Sequence, residues 1–224
     1  MWYKVNKIYV GTQQVRPATI PLNWLLAYRP FENNANDISW NWYNGTVTWC
    51  SFWEISWKKG VRLATSLSEP STNYITTQLN NHTIPQTVTI RVYQLWVWND
   101  WTYVMDNADT DNGESFRLRF NSSHNLQSWW YWIAFTGWSY KNTWTMITAV
   151  ITSWTLKLYI NWVLSNTFTW TNMTSHASRF VFGTWYSRQW SFNQRCFPWW
   201  IRHAAVYSRA LTDSEVLQFY NNTK

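Results

Sequence analysis

The stretch that decides the fold is Thr155-Leu-Lys-Leu-Tyr-Ile-Asn-Trp-Val-Leu-Ser-Asn-Thr-Phe-Thr169. Its first half places Leu156, Leu158 and Ile160 at every second position, the period of a half-buried strand. A second strand candidate, Val163–Thr169, follows after only Asn161 and Trp162. Two residues can join two strands only as a tight antiparallel hairpin. Such a turn needs positive φ at its second position, which glycine accepts and a bulky aromatic resists. The stretch therefore reads as a hairpin with the wrong residue at its tip: Asn-Gly belongs where Asn161-Trp162 stands.

Working outward, the same alternation recurs in Thr87–Tyr93 and Phe116–Phe120. Further strand candidates are Leu25–Phe31, Thr46–Phe52, Thr145–Thr152, Arg179–Gly183 and Ile201–Tyr207. They are separated by Asn-, Ser- and Thr-rich connections of the kind found in antiparallel sandwiches. No strand-helix-strand alternation and no internal repeat occurs. One helix is signalled, from about Asp213 to Tyr220. Thr212-Asp-Ser-Glu215 reads as a capping box, Leu211 and Val216 as its hydrophobic staple, and the acidic first turn suits the helix dipole. Residues 1–21, ending in Pro17 and Pro21, read as a short leader or attachment segment, and 22–224 as one domain.

The 224 residues include 22 Trp against 6 Gly, whereas an average chain of this length would carry roughly 16 glycines. Three of the tryptophans follow Asn, four follow Ser and four follow Thr, which are turn contexts. Charged residues make up 13%, too few for coiled coils, acidic tails or charge-driven disorder. The net charge of +7 comes from 18 Lys and Arg scattered against 11 Asp and Glu, and no nucleic-acid-binding motif accompanies it. Neither a secretory signal nor a membrane-spanning run is legible. Cys50 and Cys196 lie too far apart for a zinc motif and read as two buried thiols or one disulfide.

The segment Trp24-Leu-Leu-Ala-Tyr-Arg-Pro-Phe-Glu-Asn-Asn-Ala-Asn-Asp-Ile-Ser-Trp-Asn-Trp-Tyr-Asn-Gly-Thr-Val-Thr-Trp49 resembles the opening of the concanavalin A-like LamG-type family, which typically has glycine at positions 24, 40, 42 and 49. Thr155–Val163 resembles that family's central hairpin, again with glycine where Trp162 stands. Trp199–Leu211 with Thr212–Glu215 resembles its closing strand and helix start. The resemblance spans about residues 24–222 and implies an all-β, antiparallel two-sheet jelly-roll sandwich with one short C-terminal helix. Because a family glycine is replaced by Trp in every well-matched segment, a single cause is expected. The expected cause is that most of these tryptophans stand for UGA codons meaning glycine, as in bacterial lineages that reassign UGA or in viruses infecting them. Trp24, Trp40, Trp42, Trp49, Trp154, Trp162, Trp170 and Trp199 are the expected glycine positions, while Trp96 and Trp200 read as genuine.

Catalytic patterns are absent from the sequence. Retaining glucanases of this shape need two carboxyls about 5–5.5 Å apart on one strand, and none of Glu32, Glu54, Glu69, Glu114 and Glu215 has an Asp two residues later. His82, His124, His176 and His203 are isolated and read as surface or satisfied polar residues. One acidic cluster, Asp106-Asn-Ala-Asp-Thr-Asp-Asn-Gly-Glu114, offers Asp106, Asp109 and Asp111 as calcium candidates. Its spacing departs from the EF-hand loop by one residue, which makes a solvated hairpin loop the competing reading. No other cofactor is indicated.

The family resemblance implies a non-catalytic binding or adhesion module recognising a surface glycan or protein receptor. The leader Tyr3-Lys-Val-Asn-Lys-Ile-Tyr-Val-Gly-Thr-Gln-Gln-Val-Arg-Pro17 is similar to short N-terminal segments of phage tail and other virion-associated proteins. The expected setting is thus a phage tail-associated receptor-binding or decoration protein, partnered by other tail proteins. A bacterial surface adhesin or carbohydrate-binding module is the alternative. Neither nucleic acid nor membrane insertion is expected.

Overall fold

The computed structural model describes residues 8–10, 13–15, 20–63, 73–79, 86–94, 102–106, 117–120, 126–128, 131–132, 141–169, 180–186, 192–193 and 199–224. In chain order its strands are β1 (Ile8–Val10), β2 (Gln13–Val15), β3 (Leu25–Arg29), β4 (Gly45–Thr48), β5 (Ser51–Ile55), β6 (Lys58–Arg62), β7 (Tyr74–Thr77), β8 (Gln86–Tyr93), β9 (Thr102–Asp106) and β10 (Arg117–Phe120). There follow β11 (Leu126–Ser128), β12 (Tyr131–Trp132), β13 (Trp144–Ile151), β14 (Thr155–Ile160), β15 (Val163–Thr169), β16 (Val181–Phe182), β17 (Trp185–Tyr186), β18 (Phe192–Asn193) and β19 (Trp200–Tyr207). A single helix, α1 (Asp213–Thr223), closes the chain.

Two antiparallel sheets make the sandwich. The larger runs β15-β14-β13-β8-β19-β6-β5, with β3 also paired to β19, and the smaller runs β12-β11-β10-β9-β16-β7-β4. The chain is a jelly roll, as the sequence implied. Between the sheets lies a core that includes Val88, Ile90, Val92, Val104, Phe120, Ile147, Ala149, Ile151, Phe182 and Val206. A second cluster covers the opposite face of the larger sheet, where Met146, Val150, Tyr159, Ala205 and Tyr207 meet Val216 and Phe219 of α1. Alternate residues of β13 thus enter different cores. This double cover, joined beyond α1 by the β5–β6 hairpin packed on Tyr93 and Trp144, leaves β8 and β19 buried at every position.

The Leu156–Phe168 hairpin forms as expected, with Ile160 opposite Val163 and φ of +47° at Asn161 and +73° at Trp162. The helix begins as expected too. Thr212 caps it, its side chain accepting from the Glu215 amide while the Glu215 carboxylate takes the Thr212 N–H. It runs on to Thr223, three residues beyond the expected Tyr220, because Phe219 and Thr223 are buried.

The expected strand Thr46–Phe52 is two strands. β4 lies in the smaller sheet and β5 in the larger, and Trp49 between them has φ of +55°, so the chain changes sheets there. Of the expected strand Arg179–Gly183, Val181 and Phe182 form β16, and Arg179 lies outside the described residues. Strand β6 has no counterpart among the expected strands, because Lys58-Lys59-Gly60 has low strand propensity. It is held by pairing with both β5 and β19. The leader contributes β1 and β2, which pair with each other in a sheet of their own, and Ile20 already belongs to the cluster beneath α1.

Candidate ligand-binding face

Beyond the end of α1 the outer face of the larger sheet carries a row of residues brought into line by strand register. Trp144 on β13 faces Tyr93 on β8, Tyr93 faces Trp200 on β19, and Trp200 faces Arg62 on β6. The rings pack on one another, Tyr93 and Trp144 tilted at 5.5 Å and Tyr93 and Trp200 edge-on at 6.1 Å. The Arg62 guanidinium lies 5.1 Å above the Trp200 ring, within cation–π range. The β5–β6 hairpin folds against this row. Ser56 Oγ donates to Tyr93 Oη at 3.1 Å, and Trp144 Nε1 donates to the Ile55 carbonyl at 3.3 Å. Gly60 is required beneath it, since a Cβ there would stand 2.9 Å from Trp144 Cη2 and 3.0 Å from the Ile201 carbonyl oxygen.

The next row, two residues along the same strands, is charged. Met146 faces Arg91, and Arg91 faces Arg202. Arg91 Nη2 donates to the Tyr220 carbonyl at 2.8 Å and Nε to Thr223 Oγ1 at 3.0 Å, which satisfies the last turn of α1 where the helix dipole favours a cation. Burial pushes the Arg91 guanidinium down to about 10, against the nearby Tyr220 ring. Arg202 lies 5.5 Å from the Trp144 ring and donates through Nη2 to His203 Nε2.

His203 occupies a break in the β19 register, at φ of +48°. Its amide bonds to the Pro30 carbonyl, and its Nδ1 lies 2.7 Å from Tyr28 Oη. Because arginine can only donate, Nε2 must accept, which assigns the ring proton to Nδ1 and makes Tyr28 Oη its acceptor. Burial, then the charges of Arg202, Arg91 and Lys58, hold His203 well below the usual imidazole range. Lys58 is also held down, by burial and by the same two arginines. Glu32, exposed on the loop after β3, is the acid that opposes Arg202. The sequence showed no trace of this face, because its members come from strands far apart in the chain. His203 does fit the expected satisfied polar residue.

Of the calcium candidates, Asp106 is fully buried at the end of β9, opposite Arg117 and Val181. Asp109 and Asp111 lie outside the described residues. Among the described residues no three His, Cys, Asp or Glu side chains come together to hold a metal. Cys50 is half-buried, its Sγ donating to the Thr48 carbonyl at 3.3 Å, and Cys196 lies outside the described residues.

The expected glycine positions divide. Trp24, Trp40, Trp42, Trp49 and Trp162 have φ between +55° and +76° and exposed side chains, and Trp57, not singled out from sequence, joins them at φ of +62° and 93% exposure. Trp154 is exposed without positive φ. Trp199 is buried in the main core without it, so neither the backbone nor the surroundings ask for glycine there. Trp170 and Trp96 lie outside the described residues. Trp200 is 8% exposed with ordinary backbone geometry and packs on Tyr93.

The fold and this face define a two-sheet jelly-roll domain whose larger sheet carries an aromatic and arginine row. The chain is similar to domain 4 of AbnA, a GH43 extracellular arabinanase from Geobacillus stearothermophilus, solved in complex with arabinotriose, with a TM-score of 0.65 and 19% identity over 87% of this chain and 97% of that one. It is also similar to the binding domain of Paraclostridial Mosquitocidal Protein 1, with a TM-score of 0.63, 18% identity and coverage of 89% of this chain. A third is the botulinum neurotoxin serotype D ligand-binding domain, solved in complex with N-acetylneuraminic acid, with a TM-score of 0.66, 13% identity and coverage of 89%. The chain spans about half the length of these two toxin domains, 52% and 51%. No protein-family model matches it, and no curated protein matches it. No helix among the described residues is long and apolar enough to cross a membrane.

Proposed function

We propose that the chain is a non-catalytic glycan-binding module of LamG type, carried on a virion as a tail-associated receptor-binding or decoration protein. The observation that carries the binding role is the Trp144–Tyr93–Trp200–Arg62 row. Aromatic rings beside guanidinium groups suit the apolar faces and hydroxyls of sugars, and Trp144 and Arg62 are half-buried at its margins. That the solved domain covered almost end to end by this chain was captured with arabinotriose supports the ligand class. The similarity of the leader to virion-associated segments supports the setting, as does its self-contained β1–β2 hairpin. The test is binding to a glycan array and to intact host cells by the protein and by Trp144→Ala and Arg62→Ala. Loss of about tenfold or more in affinity on either substitution is expected. Full binding by a doubly substituted, folded protein would remove this face from the role.

The same reading takes the tryptophans at positive φ as glycines of the natural product, encoded by UGA. Six independent backbone positions adopt the region that bulky residues avoid, and all six side chains point to solvent. Mass spectrometry of the native protein should show glycine at 24, 40, 42, 49, 57 and 162, and UGG codons at these sites would sink the idea. Trp144 and Trp200, which build the candidate face, have ordinary backbone geometry and stay tryptophan in either case.

A further inference from the structure

Arg91 and Arg202 face each other directly across the β8–β19 ladder and are 3% and 7% exposed. Like charges in that relation repel, and a buried charge is costly unless paired. Among the described residues neither guanidinium has an acidic partner. Arg91 bonds only to the neutral Tyr220 carbonyl and Thr223 hydroxyl, and Arg202 only to His203. Arg202 Nε and the neighbouring Trp200 Nε1 are buried with no hydrogen-bond partner. Lys58 adds a third cation nearby, while Glu32, the acid within electrostatic reach among the described residues, makes no ion pair with them there.

We propose that this arginine pair is an anion subsite of the glycan-binding face and takes the carboxylate of an acidic sugar. The inference rests on the reading of the face given above and names its ligand class. The aromatic row and the arginine row are two residues apart on the same strands, about 6.6 Å, comparable to one pyranose ring with its carboxylate. A uronic-type sugar lying against the half-buried Trp144 therefore brings its carboxylate toward Arg202, which lies 5.5 Å from that ring and whose unbonded Nε and planar fork match two carboxylate oxygens. A neutral sugar leaves the buried cations uncompensated. Lys58 and His203 are held down first by burial and then by the charges of Arg202 and Arg91, which agrees with a local excess of positive charge.

The experiment is thermal unfolding of the full chain titrated with sodium glucuronate, glucose or sodium sulfate at constant ionic strength, for the protein and for Arg202→Gln. Glucuronate should raise the melting temperature saturably, by about 3–6 °C at ten times its dissociation constant, while glucose at the same concentration should not. Arg202→Gln should melt no lower than the parent without added anion, because it removes one of two opposed charges, and should lose the glucuronate shift. An equal shift in both proteins, an equal shift with glucose, or no shift overturns the proposal. A shift with sulfate but not with glucuronate overturns the carboxylate assignment. The comparison of glucuronate with glucose on the unsubstituted protein stands should the variant not fold. Binding of neutral glycans that depends on Trp144, with no anion effect, would overturn the subsite and leave the module reading in place.

Discussion

Replacing Trp24, Trp40, Trp42, Trp49, Trp57 and Trp162 together by glycine should make the protein more stable, although it deletes six of the largest side chains it has. At these positions φ lies between +55° and +76°, where an L-residue with a Cβ is strained by about 1–2 kcal/mol. Glycine relieves that strain but loosens the unfolded chain, which costs about 0.4–1 kcal/mol per site. Little burial is forfeited, since exposure ranges from 44% at Trp162 to 93% at Trp57. The net gain is about 0.5–1 kcal/mol per site, or about 3–6 kcal/mol for the set. For a chain of this size that is a rise of roughly 6–24 °C in melting temperature. Differential scanning calorimetry of the two proteins measures it. Trp200→Gly is the internal contrast. Trp200 is 8% exposed, has ordinary backbone geometry and packs on Tyr93, so its loss should cost about 3–5 kcal/mol. A six-glycine protein that melts at or below the parent would refute the strain argument, as would a Trp200→Gly change that stabilises.

Other perturbations test separate parts of the structure. Gly60→Ala should destabilise by about 1–3 kcal/mol and weaken glycan binding, because the new methyl meets both the Trp144 ring and the fixed Ile201 carbonyl; an unchanged melting temperature counts against that packing. The Glu215 carboxylate is held at about 2 by its hydrogen bonds with Arg209, so its contribution is present above the ordinary carboxylate value of 4.5 and is lost as pH falls toward 2. The pair is partly exposed, which limits the effect to about 1 kcal/mol, and chemical denaturation of Glu215→Gln across that window should show a flatter acid limb. His203 is kept neutral among Tyr28, Arg202, Arg91, Lys58 and the opposing Glu32, so stability present above about 6.5 should fall as the medium is acidified. His203→Gln should remove that upper part of the acid limb, and an identical limb in the variant would exclude His203 as its source. Deleting residues 1–19 should leave host binding and the melting temperature nearly unchanged, whereas deleting through Pro21 removes Ile20 from the cluster under α1 and should cost about 1.5–3 kcal/mol.

Features set by local pattern were legible before the structure. The Leu156–Phe168 hairpin follows from alternation and a two-residue connection, and α1 from a capping box whose members are three residues apart. The break between β4 and β5 was not legible, because Thr46–Phe52 is a continuous run of strand-forming residues and only the backbone at Trp49 shows where the chain crosses to the other sheet. Strand β6 was hidden for the opposite reason: two lysines and a glycine do not look like a strand, and its place is dictated by partners on both sides.

The candidate face was illegible for a deeper reason. Arg62, Arg91, Tyr93, Trp144, Trp200 and Arg202 have no common motif, and antiparallel register alone sets them in two adjacent rows. Tryptophan compounds the difficulty, because in this chain the residue stands in two unlike situations. At 24, 40, 42, 49, 57 and 162 it sits on left-handed backbone with its ring in water, where the chain's geometry demands only the absence of a Cβ. At 144 and 200 it sits on ordinary strand backbone, with its ring packed against Tyr93. An aromatic side chain can serve recognition only where the backbone would tolerate it and neighbours hold it still. By that criterion the exposed tryptophans, which look most like a sugar-stacking platform in sequence, are the wrong ones, and the proposed ligand-binding surface is built on the few that the fold has partly covered.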